Sequence, residues 1–388
     1  MGAVILMVAG IATLFLRPRG WALWWGPTAC AALGLATTLV HWSDVHESLA
    51  LLRSPLLFLL FAVPLAVLLD RIGVFAALAA LADDADDVRH LVLGLWVLAA
   101  AVTVVFNLDA AVVLLTALYI RIARRHGLSP EMLAFQPALL ACLASSPLPV
   151  SNLTNLIVAE RFDLGVGDFL RHLALPTLVV CVVGWWGFRR AFHLSAQHDT
   201  VDDEVDGAAL RRGLPIVGFV LVGFTLGDAL GVPAWAVAAA ATVWAATLVR
   251  SVPWRSVPHE AMLVAAAMAV LVAGAVPHLG LDRVLRGTGL AGGVRALLFG
   301  TVGSDLANNL PAVLAGSAAL HERAQVWPLL VGANMAPALV LSGALSGLLW
   351  RDTAASLDVA VTARRYSAVG VRVGLPALVA ASLVVLFV

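Results

Sequence analysis

Four polar stretches interrupt this apolar chain of 388 residues, and their side chains suit the handling of a small polar solute. The first is Asn107-Leu108-Asp109. The second, Pro147 to Asn155, reads P-L-P-V-S-N-L-T-N and carries Ser151, Asn152, Thr154 and Asn155. The third is Ser304-Asp305-Leu-Ala-Asn308-Asn309-Leu-Pro311. The fourth runs from Gly332 to Trp350 and holds Asn334, Ser342, Gly343, Ser346 and Gly347. Amides and hydroxyls both donate and accept hydrogen bonds, so such groups can grip an oxygen-rich solute without reacting with it. Two carboxylates, Asp109 and Asp305, add groups that could carry a proton.

The elements that must position these residues follow from composition. Hydrophobic residues make up 61% of the chain and charged residues only 12%, and the mean hydropathy is +0.96. A soluble domain carries about 25% charged residues, so the chain reads as an all-α polytopic membrane protein. Its apolar runs are continuous and do not alternate, which excludes a barrel. Pro147 and Pro149 cannot both continue a helix, because each lacks an N–H and crowds the preceding turn. Polar backbone at membrane depth is tolerated where it lines a cavity or is buried in protein. The second stretch is therefore either a broken helix lining a solute site or a proline-kinked helix bonded to its neighbours. Gly343 and Gly347 are open in the same way, as ligand contacts or as small residues for helix packing.

The apolar runs predict spans at 3–16, 21–40 and 54–69, then an interrupted run at 91–122, a broken helix at 131–160 and a span at 169–188. The 3–16 run lacks a basic start and is read as a short first span, not a signal peptide. The acidic stretch Asp83 to Asp87 reads as a solvated loop. A charged linker at 189–212 divides the chain. After it come 213–231, 233–249, 258–277, a second interrupted run 293–320, a second broken segment 325–350 and a last span 367–388. Each flank of Asn107-Leu-Asp109 is about 14 residues, roughly 21 Å of helix, which is short for a hydrocarbon core of ~30 Å and predicts a re-entrant hairpin. Leu175-Pro176 recurs as Leu375-Pro376, an offset of 200 that also sets Asp109 on Asn309. Order and offset together predict a repeat. Five crossings per half is odd, so the second copy must be inverted. With the linker in the cytoplasm, 17 of the 24 Arg lie inside, as the positive-inside rule requires. The domains expected are 1–188 (scaffold 1–70, transport 91–188) and 213–388 (scaffold 213–277, transport 293–388).

The stretches Asn107 to Thr116, Ser151 to Ile157, Asn308 to Pro311 and Gly332 to Trp350 resemble the arsenite/antimonite permease (ArsB-like) family of the ion transporter superfamily. The resemblance covers about residue 20 to the C-terminus. It implies a secondary transporter that exports trivalent arsenic and antimony hydroxides by proton antiport or joined to a soluble ATPase subunit. It also implies a scaffold domain, a transport domain of hairpins and broken helices, and a homodimer. Carried onto this chain, it marks Asn107, Ser151, Asn152, Thr154, Asn155, Asn308, Asn309, Asn334, Ser342 and Gly343 as substrate-binding, with Asp109 and Asp305 coupling protons. The chain departs from the family at Leu108, where an Asp is usual. It departs again at Ala336, Val340 and Ala344, where Gly, Thr and Ser are usual, and at Asp305, where a neutral residue is usual.

Asp109 has two readings. Its ionisation at this depth is costly, so it could load and release a coupling proton. Alternatively it stays charged and caps the helix that follows it. The rival transporter reading is a cation/proton antiporter or an organic-anion carrier of the same superfamily. The latter would want basic groups or several half-helix N-termini at its site, and no Arg lies in the motif tips. An intramembrane enzyme would need a nucleophile and base or metal ligands within spans. Instead the ten His fall at or near predicted span ends, and Cys30, Cys142 and Cys181 are isolated, so no metal and no cofactor is expected. All 24 basic residues are Arg, which leaves no Lys chemistry, and zero net charge suggests no nucleic-acid partner. No P-loop motif is present, so ATP could act only through a partner.

Overall fold

The computed structural model describes residues 1–16, 21–81, 88–192, 205–227 and 230–387. The acidic stretch at 83–87, Arg17 and Arg19, and the 193–204 part of the linker lie outside the described residues. Among the described residues all regular structure is helical. The first half comprises α1 (Gly2–Leu16), α2 (Trp25–Ala36), α3 (Trp42–Ile72), α4 (Val74–Ala80), α5 (Val88–Phe106), α6 (Leu108–Arg125), α7 (Pro130–Leu143), α8 (Leu153–Phe162) and α9 (Val166–Ala191). The second half comprises α10 (Gly207–Leu226), α11 (Ala234–Val249), α12 (His259–Ala275), α13 (Leu281–Val284), α14 (Gly289–Ala307), α15 (Asn309–Ala318), α16 (Val326–Met335), α17 (Leu345–Ala355) and α18 (Ala363–Phe387).

Among the described residues, six stretches are long and apolar enough to cross a membrane: α3, α5, α9, α10, Trp254–His278 around α12, and α18. α1 has 15 residues, in line with the short first span expected, but the second expected span comes out shorter: α2 has only 12 residues, about 18 Å of helix, because turns at Trp24 and Thr37 close it early. The third expected span grows to the 31 residues of α3, which runs through Pro55 and Pro64. The flanks of the first polar tip are longer than the apolar run suggested. α5 has 19 residues and α6 has 18, since their charged outer ends stay helical.

Packing sorts the helices into two groups. α1, α2, α3, α10, α11 and α12 pack on one another, and so do α5 to α9 with α14 to α18. The groups meet where α3 lies against α6 and α8 and where α12 lies against α15. Within the second group, α9 and α18 touch closely: a Cβ on Gly187 would lie 3.0 Å from the Val373 Cα. Their outward faces carry Leu178, Val182 and Trp186 on α9 and Val371, Leu375, Val379 and Leu383 on α18, all exposed. Four-residue steps put each row on one helix face, which suits contact with lipid.

Contacts between distant segments gather at two ends. At one end Arg71 Nη1 donates to Ser251 Oγ at 3.2 Å and Arg365 Nε pairs with Glu131 Oε1 at 2.6 Å. There too the Arg124 guanidinium donates to the Leu357 carbonyl. At the other end Arg323 Nη2 donates to the Asp163 carbonyl at 2.8 Å, and Gln325 Nε2 to the Leu285 carbonyl at 2.9 Å. We call the first the Arg-rich end.

Candidate functional site

Both polar tips are built the same way. Asn107 breaks α5 from α6 with φ 76° and ψ 145°, and Asn308 breaks α14 from α15 with φ 87° and ψ 147°. Positive φ reverses the chain in one residue, and Asn tolerates it better than most side chains. Each Asn then caps the helix it starts. Asn107 Oδ1 accepts from the Asp109 N–H at 3.0 Å, and Asn308 Oδ1 accepts from the Leu310 N–H at 3.3 Å. The first tip folds α6 back along α5, so that Tyr119 Oη donates to the Leu95 carbonyl, each twelve residues from Asn107. The breaks lie 201 residues apart, not 200. Asn107 therefore corresponds to Asn308, and the position of Asp109 corresponds to that of Leu310.

The broken helix of the first half repeats the device. After α7 ends, Pro149–Ser151 form a single 3-10 turn, and Asn152 Oδ1 caps α8 by accepting from the Thr154 N–H at 3.2 Å. Ser151 Oγ donates to the Val104 carbonyl at 2.7 Å, pinning this turn to α5. In the second half α16 gives way to a 3-10 turn at Ala336–Ala338, and α17 restarts at Leu345. Its cap position is Ala344, which has no side-chain acceptor, so the first N–H groups of α17 lack a side-chain cap. Gly343 is required by space, since a Cβ there would lie 2.9 Å from the Pro337 Cα. A Cβ on Gly347 would lie 2.2 Å from the Leu341 carbonyl oxygen. Both glycines thus have a packing role.

These four helix starts converge. Leu108 and Asp109 of α6, Asn152, Leu153 and Thr154 of α8, Asn308, Asn309 and Leu310 at α15, and Ala344 and Leu345 at α17 line one cleft, closed on the far side by Leu14, Ala261 and Val264. Its volume is about 40 Å³, room for a solute a few water molecules in size. Four N-termini bring positive half-dipoles to one place. Asp109, in the first turn of α6, is the only charged residue in the lining. Asn107, not Asp109, is the cap of that helix.

Behind the cleft lies a saturated amide network. Asn334 Oδ1 accepts from Thr154 Oγ1 at 2.7 Å and from Asn152 Nδ2 at 3.1 Å. Asn334 Nδ2 donates to Asn155 Oδ1 at 2.7 Å and to Ser146 Oγ at 3.3 Å. Asn155 Nδ2 donates to the carbonyls of Ser145 and Leu148, each at 2.9 Å, holding the unwound link between α7 and α8. On the other tip, Asn308 Nδ2 donates to the Ser342 carbonyl at 3.3 Å and the Asn309 N–H to the Gly343 carbonyl at 2.8 Å.

The site residues expected from sequence therefore divide by position. Asn152, Thr154, Asn308, Asn309 and Asp109 line the cleft. Asn107, Ser151, Asn155 and Asn334 are buried behind it, and Ser342 and Gly343 hold the second tip through their backbone. Asp305 stands apart. It lies behind the Gly343 turn near Cys142 and Tyr366, and its Oδ1 is buried with no hydrogen-bond partner among the described residues. Sequence reasoning missed Ser145 and Ser146, although they directly precede the P-L-P break. It also missed Leu14, Ala261 and Val264, which as apolar residues carry no sequence signal.

A polytopic helical bundle whose broken helices close around a polar cleft is the architecture of a membrane transporter, a multi-pass integral protein of the cell membrane. A family profile described as citrate transporter matches residues 1–384; the chain belongs to that family and is an ArsB-like member of it. It is similar to an arsenical pump membrane protein of Yersinia enterocolitica, 26% identical over 416 residues that cover 96% of each chain. It is also 25% identical to one of Escherichia coli (strain K12), over 414 residues covering 97% of this chain and 96% of the relative.

Proposed function

We propose that this transporter exports arsenite and antimonite as neutral hydroxides, by antiport against inward-moving protons. The observation that carries the reading is the make-up of the cleft: amides, a hydroxyl and uncapped N–H groups around one carboxylate. A trihydroxide offers both O–H donors and oxygen acceptors, and this lining offers both in return. No thiol is needed for such binding. The similarity to arsenical pump membrane proteins over nearly the whole chain supports the same substrate class. Asp109 is the proton carrier in this reading, with Asp305 modulating it. The group of α1 to α3 and α10 to α12 acts as scaffold, and the remaining helices carry the cleft as an inverted repeat with re-entrant tips.

A second reading is favoured by one observation. Four helix N-termini at a single cleft suit an anion, and the family's own description is citrate transporter. Against it, the cleft lining has no Arg and its volume is small. Uptake into everted vesicles under an imposed pH gradient separates the two. We expect accumulation of arsenite and antimonite and none of Na⁺ or dicarboxylates. Accumulation of a di- or tricarboxylate without arsenite would overturn the first reading in favour of the second.

A further inference from the structure

The cleft is not sealed on its Arg-rich side. A second cavity of about 280 Å³ shares Asp109, Ala261 and Leu345 with it and continues to Ser256, Val257, Pro258, His259 and Glu260 at the start of α12. It runs between the two groups of helices. Val63 and Val67 of α3 and Leu23 form one wall; Ala110, Val113 and Leu114 of α6 with Leu345 and Leu349 of α17 form the other. Those walls are apolar. The polar side chains of the lining are Asp109 at the inner end and Ser256, His259 and Glu260 at the outer end. Ser256 Oγ already donates to the Pro253 carbonyl at 2.6 Å, and His259 Nδ1 lies 3.3 Å from the Val257 carbonyl. His259 is exposed, whereas Glu260 is half-buried in the first turn of α12. Further charges on the surrounding elements lie outside the lining: Asp70 and Arg71 on α3, Arg121 on α6, Arg351 and Asp352 on α17, and Arg255 before α12.

We propose that Glu260 is a proton-transfer residue that relays the proton between Asp109 and water at the Arg-rich end. The proposal deepens the antiport reading and rests on it. A proton leaving Asp109 must cross an apolar passage, where only water in the cavity and a side chain at its mouth can carry it. The cavity has room for that water. The Asp109 O–H bond breaks, the proton passes through water to the Glu260 carboxylate, and Glu260 then gives it to bulk water. Glu260 finishes as the carboxylate it began as, and Asp109 is left ionised, to be loaded again in the next cycle. His259, on the same turn, stands at the exposed mouth.

A substrate-free measurement tests this on the full-length protein in liposomes. A light-triggered proton jump is followed by infrared spectroscopy of the carboxylic C=O band, assigned to Asp109 by its loss in Asp109→Asn. We expect Glu260→Gln to keep that band but protonate it on the order of tenfold more slowly, with Glu260→Asp restoring most of the rate. A parent-like rate in Glu260→Gln overturns the relay and leaves the role of Asp109 standing. If no band is lost in Asp109→Asn, both the relay and the coupling role of Asp109 fall.

Discussion

At the scale of single residues, Asn334 and Asp109 have separable jobs. Asn334 uses its acceptor twice and its donor twice, so no hydrophobic replacement satisfies its neighbours. Asn334→Ala leaves Thr154, Asn152 and Asn155 with unmet buried polar groups, at about 1–3 kcal/mol each. We expect this variant to insert but to melt well below the parent in detergent, and to lose transport. Asn334→Asp keeps the acceptors and loses the donors, so its melting point should fall between the two. A parent-like melt for Asn334→Ala would mean that the network contributes little. Asp109 is different, because Asn107 already caps α6. Asp109→Asn should fold normally, lose pH-driven accumulation in everted vesicles and keep downhill exchange. Accumulation like the parent would remove Asp109 from coupling.

At the scale of elements, three helices start from an asparagine whose side chain accepts from the N–H two residues on. Asn107 and Asn308 do this at positive φ with extended ψ, a region that side chains other than glycine occupy at a cost of about 1–3 kcal/mol. The tip needs the reversal and the cap together. Glycine would supply the first and alanine neither. Asn308→Gly should therefore be more stable than Asn308→Ala by about 1–3 kcal/mol, read as the order of apparent melting temperatures. Equal melts would mean that the backbone at 308 relaxes freely. Asn152 sits at φ −148°, so the same pair of substitutions there should show no such advantage for glycine.

For the whole molecule, the contacts at the two ends make a topological statement that can be tested. Ala355 follows Arg351 near the Arg-rich end, and Ala324 adjoins Arg323 at the other; both are exposed. The inverted-repeat reading puts the Arg-rich end in the cytoplasm. Ala355→Cys should then react with an impermeant thiol reagent only in everted vesicles, and Ala324→Cys only in intact cells. Labelling of both from the same side would sink the topology. Cys30, Cys142 and Cys181 are buried or half-buried, so each parent background needs only a modest correction.

The primary structure alone determined where the chain breaks at its polar stretches. Asn107, Asn308, the P-L-P pair and the Gly332 to Gly347 segment are local signals, because a missing N–H, a positive φ or a polar side chain acts on its own turn. It also determined that the chain is a helical membrane protein, since composition decides that. Helix length was less legible: α5 and α6 continue past their apolar runs into charged turns, and α2 stops inside its run. The two asparagine breaks lie one residue off the offset of the Leu-Pro match, because Leu-Pro pairs in α9 and α18 say nothing about the tips. Which asparagines line the cleft was decided only in three dimensions. Asn152 and Asn155 lie three residues apart in one apolar setting, yet one lines the cleft and the other ties the unwound link. In a membrane helix the lipid face and the packed face are both apolar, so the periodicity that would reveal the buried side is erased. The meeting of four helix starts at one cleft depends on contacts across the two halves, and no local pattern encodes those.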